Sequence, residues 1–164
     1  MSVPLSVLVL TKNEERNIGA CLDSIAGWAA DIVVVDSGSE DRTLDLCAVR
    51  GVRTVFHAYA DHRSQIGWGM TGIPWEHEWL LLLDADNVVT PELKADIERM
   101  LRNDQRDVNG YYNPHHHYFR NRRVRGLKPE SAARLPRADR VPRRGGFASR
   151  WEGASRRSTR PRRG

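Results

Sequence analysis

The run Trp79-Leu80-Leu81-Leu82-Leu83, breaking off into Asp84-Ala85-Asp86, constrains the fold of this chain more than any other segment. It is short, wholly apolar and shows no alternation with polar residues, which suits a strand buried on both faces of a sheet. Such a strand needs helices above and below it, and parallel neighbours reached by crossover connections. Two carboxylates at its mouth are costly to hold unless a positive charge sits between them. A divalent metal carrying a phosphate satisfies that arrangement.

The chain supplies the neighbours. Val3 to Leu10 is a second aliphatic run, and Ile32 to Val35 is a third that stops at Asp36. Val52 to Phe56 reads as one more strand. Between them the apolar period changes to that of a helix: Ile18, Cys21, Leu22, Ile25 and Trp28 predict a helix from Glu14, with Asn13 as its N-cap and Glu14 and Glu15 in its first turn. A helix from Asp41 to Arg50 is expected to turn Leu44 and Cys47 inward and to close on Gly51. Arg63 to Met70 has helical character weakened by Gly67, Gly69 and Gly72. Thr90-Pro91-Glu92 carries a cap, a first-turn proline and an acid, with Leu93, Ile97, Met100 and Leu101 as the buried stripe. Gly110-Tyr111-Tyr112 is read as the start of a further strand. The fold class is therefore α/β, a mostly parallel sheet flanked by helices.

In such sheets ligands bind beyond the carboxyl ends of the strands. Three polar clusters follow strands here: Thr11-Lys12-Asn13-Glu14, Asp36-Ser37-Gly38-Ser39 and Asp84-Ala85-Asp86-Asn87. Asp84 and Asp86 project on one side if the extended conformation persists through Ala85, and their hard oxygens suit Mg²⁺ or Mn²⁺. Asp36 reads two ways, as an acceptor for a nucleobase or ribose and as a cap of the next helix together with Ser39.

Charge is distributed unevenly. Residues 1–119 hold 10 Lys and Arg against 18 Asp and Glu, while residues 120–164 hold 16 against 3. The stretch 143–164, rich in Arg, Gly, Ser and Pro, has a disordered composition; a functional tail of this kind would bind an anionic membrane surface or nucleic acid. No recognition motif supports specific nucleic-acid binding. The N-terminal apolar run lacks a basic lead-in and falls below the ~18 residues of a membrane span, which predicts a chain without signal peptide or anchor. Cys21 and Cys47 lie in helical segments without metal-type spacing and are expected to be reduced core residues. The expected location is the cytoplasm, including peripheral contact with the inner face of the cell membrane.

Thr11-Lys12-Asn13-Glu14-Glu15-Arg16-Asn17-Ile18, Val33-Val34-Val35-Asp36-Ser37-Gly38-Ser39-Glu40-Asp41-Arg42-Thr43 and Leu82-Leu83-Asp84-Ala85-Asp86 with Thr90-Pro91-Glu92-Leu93 resemble family 2 glycosyltransferases. The resemblance spans roughly residues 4–101 and is nearest to the bacterial branch that builds lipopolysaccharide core and related envelope glycans. It implies a nucleotide-diphospho-sugar transferase fold of the GT-A type and an inverting, metal-dependent transfer to a glycan or glycolipid acceptor. By motif position Thr11, Asn13, Glu14 and Ser37 line the nucleotide pocket, Asp36 reads the base, Asp84 lies near ribose or sugar and shares the metal, and Asp86 coordinates Mn²⁺ or Mg²⁺. Arg63 is the nearest cation for a phosphate in the segment where relatives carry Gln-Lys/Arg-Asn. The base is implied at Glu130, in Lys128-Pro129-Glu130, followed by the Arg134-Leu135-Pro136-Arg137 echo of another family segment.

Three domains of unequal standing follow: 1–119 for the donor, 120–142 as a degenerate start of the acceptor-binding part, and 143–164 as the tail. Much of the acceptor half is absent by comparison with that pattern, so an inactive donor-binding remnant is the alternative, and an Arg-tailed nucleic-acid-binding protein a more distant one. His115-His116-His117 is read as a solvated loop, since consecutive side chains on a strand point to alternate faces. Trp28, Trp68, Trp75 and Trp79 are read as packing residues, with Trp75 able to line the acceptor cleft.

Overall fold

The computed structural model describes residues 1–103, 106–114, 116–119, 122–124 and 131–140. Strands β1 (Val3–Thr11), β2 (Ala29–Asp36), β3 (Arg53–Phe56) and β4 (Leu80–Asp84) form one parallel sheet in the order β3-β2-β1-β4. Helices α1 (Ile18–Ile25), α2 (Thr43–Val49), α3 (His62–Gly72) and α4 (Pro91–Arg102) supply the covering layers. The aliphatic strands divide their side chains between two cores. Leu5, Val7, Val9, Val34, Leu81 and Leu83 pack with Ile18, Cys21, Leu22, Ile25 and Ile97 on one face. Leu8, Val33, Val35, Leu80 and Leu82 pack with Met70 and Ile73 on the other. This period-two division explains why the runs are apolar throughout.

The helices depart from expectation in instructive ways. The first begins at Ile18 with Asn17 as its N-cap, because Glu14 to Asn17 is a separate turn in which the Asn17 and Ile18 amides both donate to the Glu14 carbonyl. Asn13 is no cap: it adopts φ 53°, the left-handed conformation that asparagine tolerates. Trp28 lies past the helix, buried, with its indole Nε1 donating to Glu98 at 3.0 Å. In α2, Leu44 is 39% exposed, contrary to the inward orientation expected of it. Thr43 and Cys47 take the buried positions instead, since the Thr43 hydroxyl accepts the Glu14 amide and fixes which face of the helix turns in.

Helix α3 forms in full despite its glycines. Asp61 caps it by accepting the Ser64 amide at 2.9 Å, and the Ser64 hydroxyl and amide hold the Asp61 carboxyl below the usual carboxylate range. Gly69 is required by close packing: a Cβ there would lie 2.6 Å from Leu8 Cδ2. Helix α4 agrees with its sequence signals, capped by Thr90 with Pro91 in the first turn, Ile97 buried and Leu93, Met100 and Leu101 packed against the core.

Beyond α4, β5 (Gly110–Pro114) starts where Gly110-Tyr111-Tyr112 predicted a strand, and β6 (Tyr118–Phe119) pairs with β7 (Arg122–Arg123). Strand β8 (Ser131–Pro136) runs antiparallel to β5. It also reaches the main sheet: Arg137 forms an antiparallel bridge with Trp79, and the Ala138 amide donates to the Glu78 carbonyl at 2.7 Å. The Arg137 guanidinium, 2% exposed, stacks on the Trp79 ring and donates to Glu78. Because β8 runs opposite to β4, residues preceding Arg137 advance toward the carboxyl end of the leucine strand. Among the described residues no helix is long and apolar enough to cross a membrane.

Candidate functional site

Register places the polar strand ends side by side. Thr11 pairs with Asp36, Leu10 with Asp84, and Asp36 with Phe56, so the three clusters line one rim of the sheet. The two loops that leave β1 and β2 are tied to each other. The Asn13 amide donates to Ser39 Oγ and the Glu40 amide donates back to Asn13 Oδ1, each at 2.8 Å. Further along, the Glu14 amide donates to Thr43 Oγ1 at 2.8 Å and the Glu15 amide to Asp41 Oδ2 at 3.0 Å. The Arg42 amide closes the set by donating to Glu15 Oε2 at 3.3 Å.

Asp36 is 3% exposed and its Oδ2 accepts the Gly38 and Ser39 amides at 2.8 and 2.9 Å, while Oδ1 accepts the Ser39 hydroxyl. The carboxylate thus organises the turn after β2 and does not cap the next helix, which starts at Thr43 with Arg42 as its N-cap and no side-chain cap; its placement on the rim keeps it beside any ligand there. Ser37 is held from the other side. Buried Gln65 donates to Ser37 Oγ at 2.9 Å and to the His57 carbonyl at 3.2 Å. With its amide nitrogen committed, Gln65 Oε1 must accept, so the 2.7 Å contact assigns the proton to His57 Nδ1. The His57 ring stacks on Trp68 at 4.1 Å. Gln65 and His57 were not singled out as site residues from sequence. In sequence Gln65 stands only as the first residue of Gln65-Ile66-Gly67, where relatives carry Gln-Lys/Arg-Asn, with no role assigned to it.

Thr11, at the end of β1, is 6% exposed and its hydroxyl is buried without a hydrogen-bond partner among the described residues. The Glu14 carboxylate accepts the Asn17 side-chain amide at 2.7 Å. Arg63 lies exposed on the first turn of α3, where it acts on the Asp61 carboxylate; no described contact joins it to the rim.

At β4 the strand ends on Asp84, and Ala85-Asp86 form a turn closed by the Asn87 amide donating to the Asp84 carbonyl at 2.9 Å. The extended conformation therefore stops before Ala85, and strand alternation does not set the direction of Asp86. Both carboxylates nevertheless lie near Cys21. Burial, then Asp86, then Asp84 push that thiol up to about 12. Asp86 is exposed and accepts Asn87 Nδ2 at 2.9 Å through one oxygen. Asp84 Oδ2 is paired with Arg134 of β8 at 2.9 Å, with the side chains 30% and 13% exposed respectively. Arg134, noted in sequence only as part of a motif echo, brings a cation to this rim, whereas Arg63 is joined to it by no described contact.

Among the described residues no cluster of three or more His, Cys, Asp or Glu side chains could hold a metal ion. Two neighbouring carboxylates still fit Mn²⁺ or Mg²⁺, since Mg²⁺ is commonly held by one or two carboxylates with substrate phosphates and water completing the shell. Glu130 and residues 143–164 lie outside the described residues, as does His115; His116 and His117 are exposed. A cavity of about 460 Å³ opens at the opposite end of the sheet, lined in part by Asp31, Arg50, Arg53 and Glu76. It lies under the amino ends of the strands, away from the polar rim.

Comparison with known proteins agrees with the fold. Residues 6–151 match the sequence model described as Glycosyl transferase family 2. An uncharacterized glycosyltransferase of Rickettsia bellii (strain RML369-C) is 28% identical over 103 residues, 63% of this chain and 34% of that protein. Glycosyltransferase SunS of Bacillus phage SPbeta is 29% identical over 100 residues, covering 57% of this chain and 22% of SunS. The chain thus spans about a third or less of the length of these relatives. Glucosyl-3-phosphoglycerate synthase from Mycobacterium tuberculosis, solved with Mn²⁺, uridine diphosphate and phosphoglyceric acid, superposes with a TM-score of 0.52 at 20% identity, over 64% of this chain and 40% of that one. Residues 1–349 of S. aureus TarS give a TM-score of 0.52 at 19% identity, over 83% of this chain and 47% of that one. At these identities the structural likeness establishes the fold.

Proposed function

The chain belongs to glycosyl transferase family 2, and from that premise we propose that it transfers a sugar from a nucleotide-diphosphate donor to an acceptor hydroxyl with inversion. The observation that carries the reading is the alignment of Thr11, Asp36 and Asp84 on one rim of the parallel sheet, with Asp86 one turn further. The M. tuberculosis neighbour solved with Mn²⁺ and uridine diphosphate supports a uridine nucleotide as the first donor class to test.

In this reading the interlocked loops of β1 and β2 receive the nucleoside, with Asp36 and the Thr11 hydroxyl, which has no partner among the described residues, nearest to it. Asp84 and Asp86 hold Mn²⁺ or Mg²⁺ against the diphosphate. When bound, that ion supplies charge neutralisation on the leaving diphosphate of an oxocarbenium-like transfer. An inverting displacement also requires a base on the face opposite the leaving group. Glu130 is the residue assigned to it by resemblance. The acceptor is proposed to be an envelope glycan or glycolipid of the lipopolysaccharide type, approached at the inner face of the membrane. The regions 120–142 and 143–164 would supply the acceptor side and a basic membrane contact.

Calorimetric titration of the full chain with UDP-sugars and GDP-sugars, with and without Mn²⁺, tests the donor site. Metal-dependent binding of one donor is the expected result. A folded chain that binds none of them in either condition would falsify the reading, and binding without hydrolysis or transfer would reduce the chain to a donor-binding remnant.

A further inference from the structure

Arg134 pairs with Asp84 at 2.9 Å, although Asp84 is one of the two carboxylates at the metal corner. The antiparallel bridge between Arg137 and Trp79 sets this contact, because it lays β8 along β4 and carries the preceding residues toward the carboxyl end of that strand. Leu135 is 2% exposed in the main core, so the strand is anchored and its neighbour is directed by packing. The guanidinium itself is incompletely used. Its Nε is buried without a hydrogen-bond partner among the described residues, while one of its two terminal nitrogens, Nη2, is committed to Asp84. A guanidinium offers five donors in a planar fork suited to phosphate, and leaving one buried and unpaired is costly unless another ligand takes it.

We infer that Arg134 exchanges partners: it neutralises Asp84 until the donor binds and would turn to the donor diphosphate when Asp84 holds a divalent ion. The inference rests on the donor reading above and adds a residue from the second sheet to it. Without a ligand, Arg134 supplies the positive charge that Asp84 requires. With Asp84 and Asp86 holding a divalent ion, the guanidinium would lose its counter-charge and would be free to donate to a phosphate of the donor. Arg134 is then a donor-binding residue whose strand belongs to the β5–β8 sheet, so occupancy of the donor site is felt by that sheet.

The two states predict effects of opposite sign, which a merely structural salt bridge does not. In Arg134→Met, Asp84 is released and a positive charge is removed, so Mn²⁺ alone should bind about three- to tenfold tighter. The same variant should bind UDP in the presence of Mn²⁺ about ten- to a hundredfold more weakly, the range of a charged hydrogen bond to phosphate. Arg134→Lys, which keeps the charge and loses the fork, should recover part of the nucleotide affinity. Calorimetry with Mn²⁺ alone and with UDP, GDP and ADP plus Mn²⁺ reads both effects, with circular dichroism confirming the fold. Parallel weakening of metal and nucleotide, or unchanged affinity for both in a wild type that binds nucleotide, overturns the inference alone. Failure of the wild type to bind any of the three nucleotides overturns the donor reading and the inference with it.

Discussion

Two glycines in α3, two residues apart, should respond in opposite directions to the same substitution. Gly67 has no heavy atom within 4 Å of where a Cβ would stand, whereas a Cβ on Gly69 would lie 2.6 Å from Leu8 Cδ2 and 3.1 Å from Cδ1. Replacing a helical glycine by alanine gains about 0.5–1 kcal/mol of conformational free energy. At Gly67 nothing opposes that gain. At Gly69 carbon atoms would have to recover roughly 1 Å to reach an ordinary contact of about 3.5–4.0 Å. Leu8 is 1% exposed and packs in one core with Val33, Val35, Met70 and Leu82, so any shift of its side chain must be taken up by buried neighbours. Overpacking of this kind costs about 1–3 kcal/mol, and the expected net for Gly69→Ala is a loss of about 1–2 kcal/mol. Urea unfolding of Gly67→Ala, Gly69→Ala and the parent, followed by tryptophan fluorescence, measures both signs. Equal stabilisation by the two substitutions would refute the claim that close packing against Leu8 selects glycine at position 69. Because Gln65 lies one turn earlier on the same buried face, Gly69→Ala should also disturb its bond to Ser37 and weaken nucleotide binding.

The remaining expectations concern the rim and its surroundings. Asp36→Ala leaves the Gly38 and Ser39 amides without their acceptor and should cost about 1–2 kcal/mol in urea unfolding, with Asp36→Asn recovering most of it. Unchanged stability in the alanine variant would show that water replaces the carboxylate. Asp86 is exposed, so Asp86→Asn should leave the unfolding midpoint in place while abolishing the gain in donor affinity on adding Mn²⁺; retention of that gain removes Asp86 from the metal corner. The Cys21 thiol is raised from 9.0 to about 12 by burial and by Asp86 and Asp84. Its folded value exceeds the unfolded one, so its contribution is complete below pH 9.0 and is lost as pH rises toward about 12. Over that window the slope approaches 1.4 kcal/mol per pH unit for one thiol. Unfolding at pH 8 and pH 10 should show a smaller fall for Cys21→Ala than for the parent, and identical falls would contradict it.

The sheet was legible because burial on both faces imposes an apolar run, and each such run here is a strand. Helix α4 was legible because its cap, proline and stripe lie within one segment. What sequence left hidden depends on distant partners. Thr43 turns inward and Leu44 outward because a hydroxyl meets the Glu14 amide, 29 residues away in the chain. Helix α1 starts late because Glu14 and Glu15 are engaged with the β2–α2 loop. The glycines of α3 weaken its local signal, yet Gly69 is a packing requirement supplied by Leu8. At the site, Asp36 and the Asp84-Ala85-Asp86 turn were identified from their positions after strands. Arg134 and Gln65 were not, since each acquires its role through a contact with another element.

The cross-tied loops after β1 and β2 also determine the thermodynamics of a ligand arriving there. Five backbone amides from the two loops find side-chain acceptors within the fold itself, four on the opposite loop and one on Thr43, the first residue of α2. Ordering costs that a flexible loop would meet on association have therefore already been met during folding. A nucleoside entering this rim encounters a wall of fixed shape. Loosening substitutions at Asn13 or Ser39 would consequently weaken it by an entropic penalty, even where neither side chain touches it.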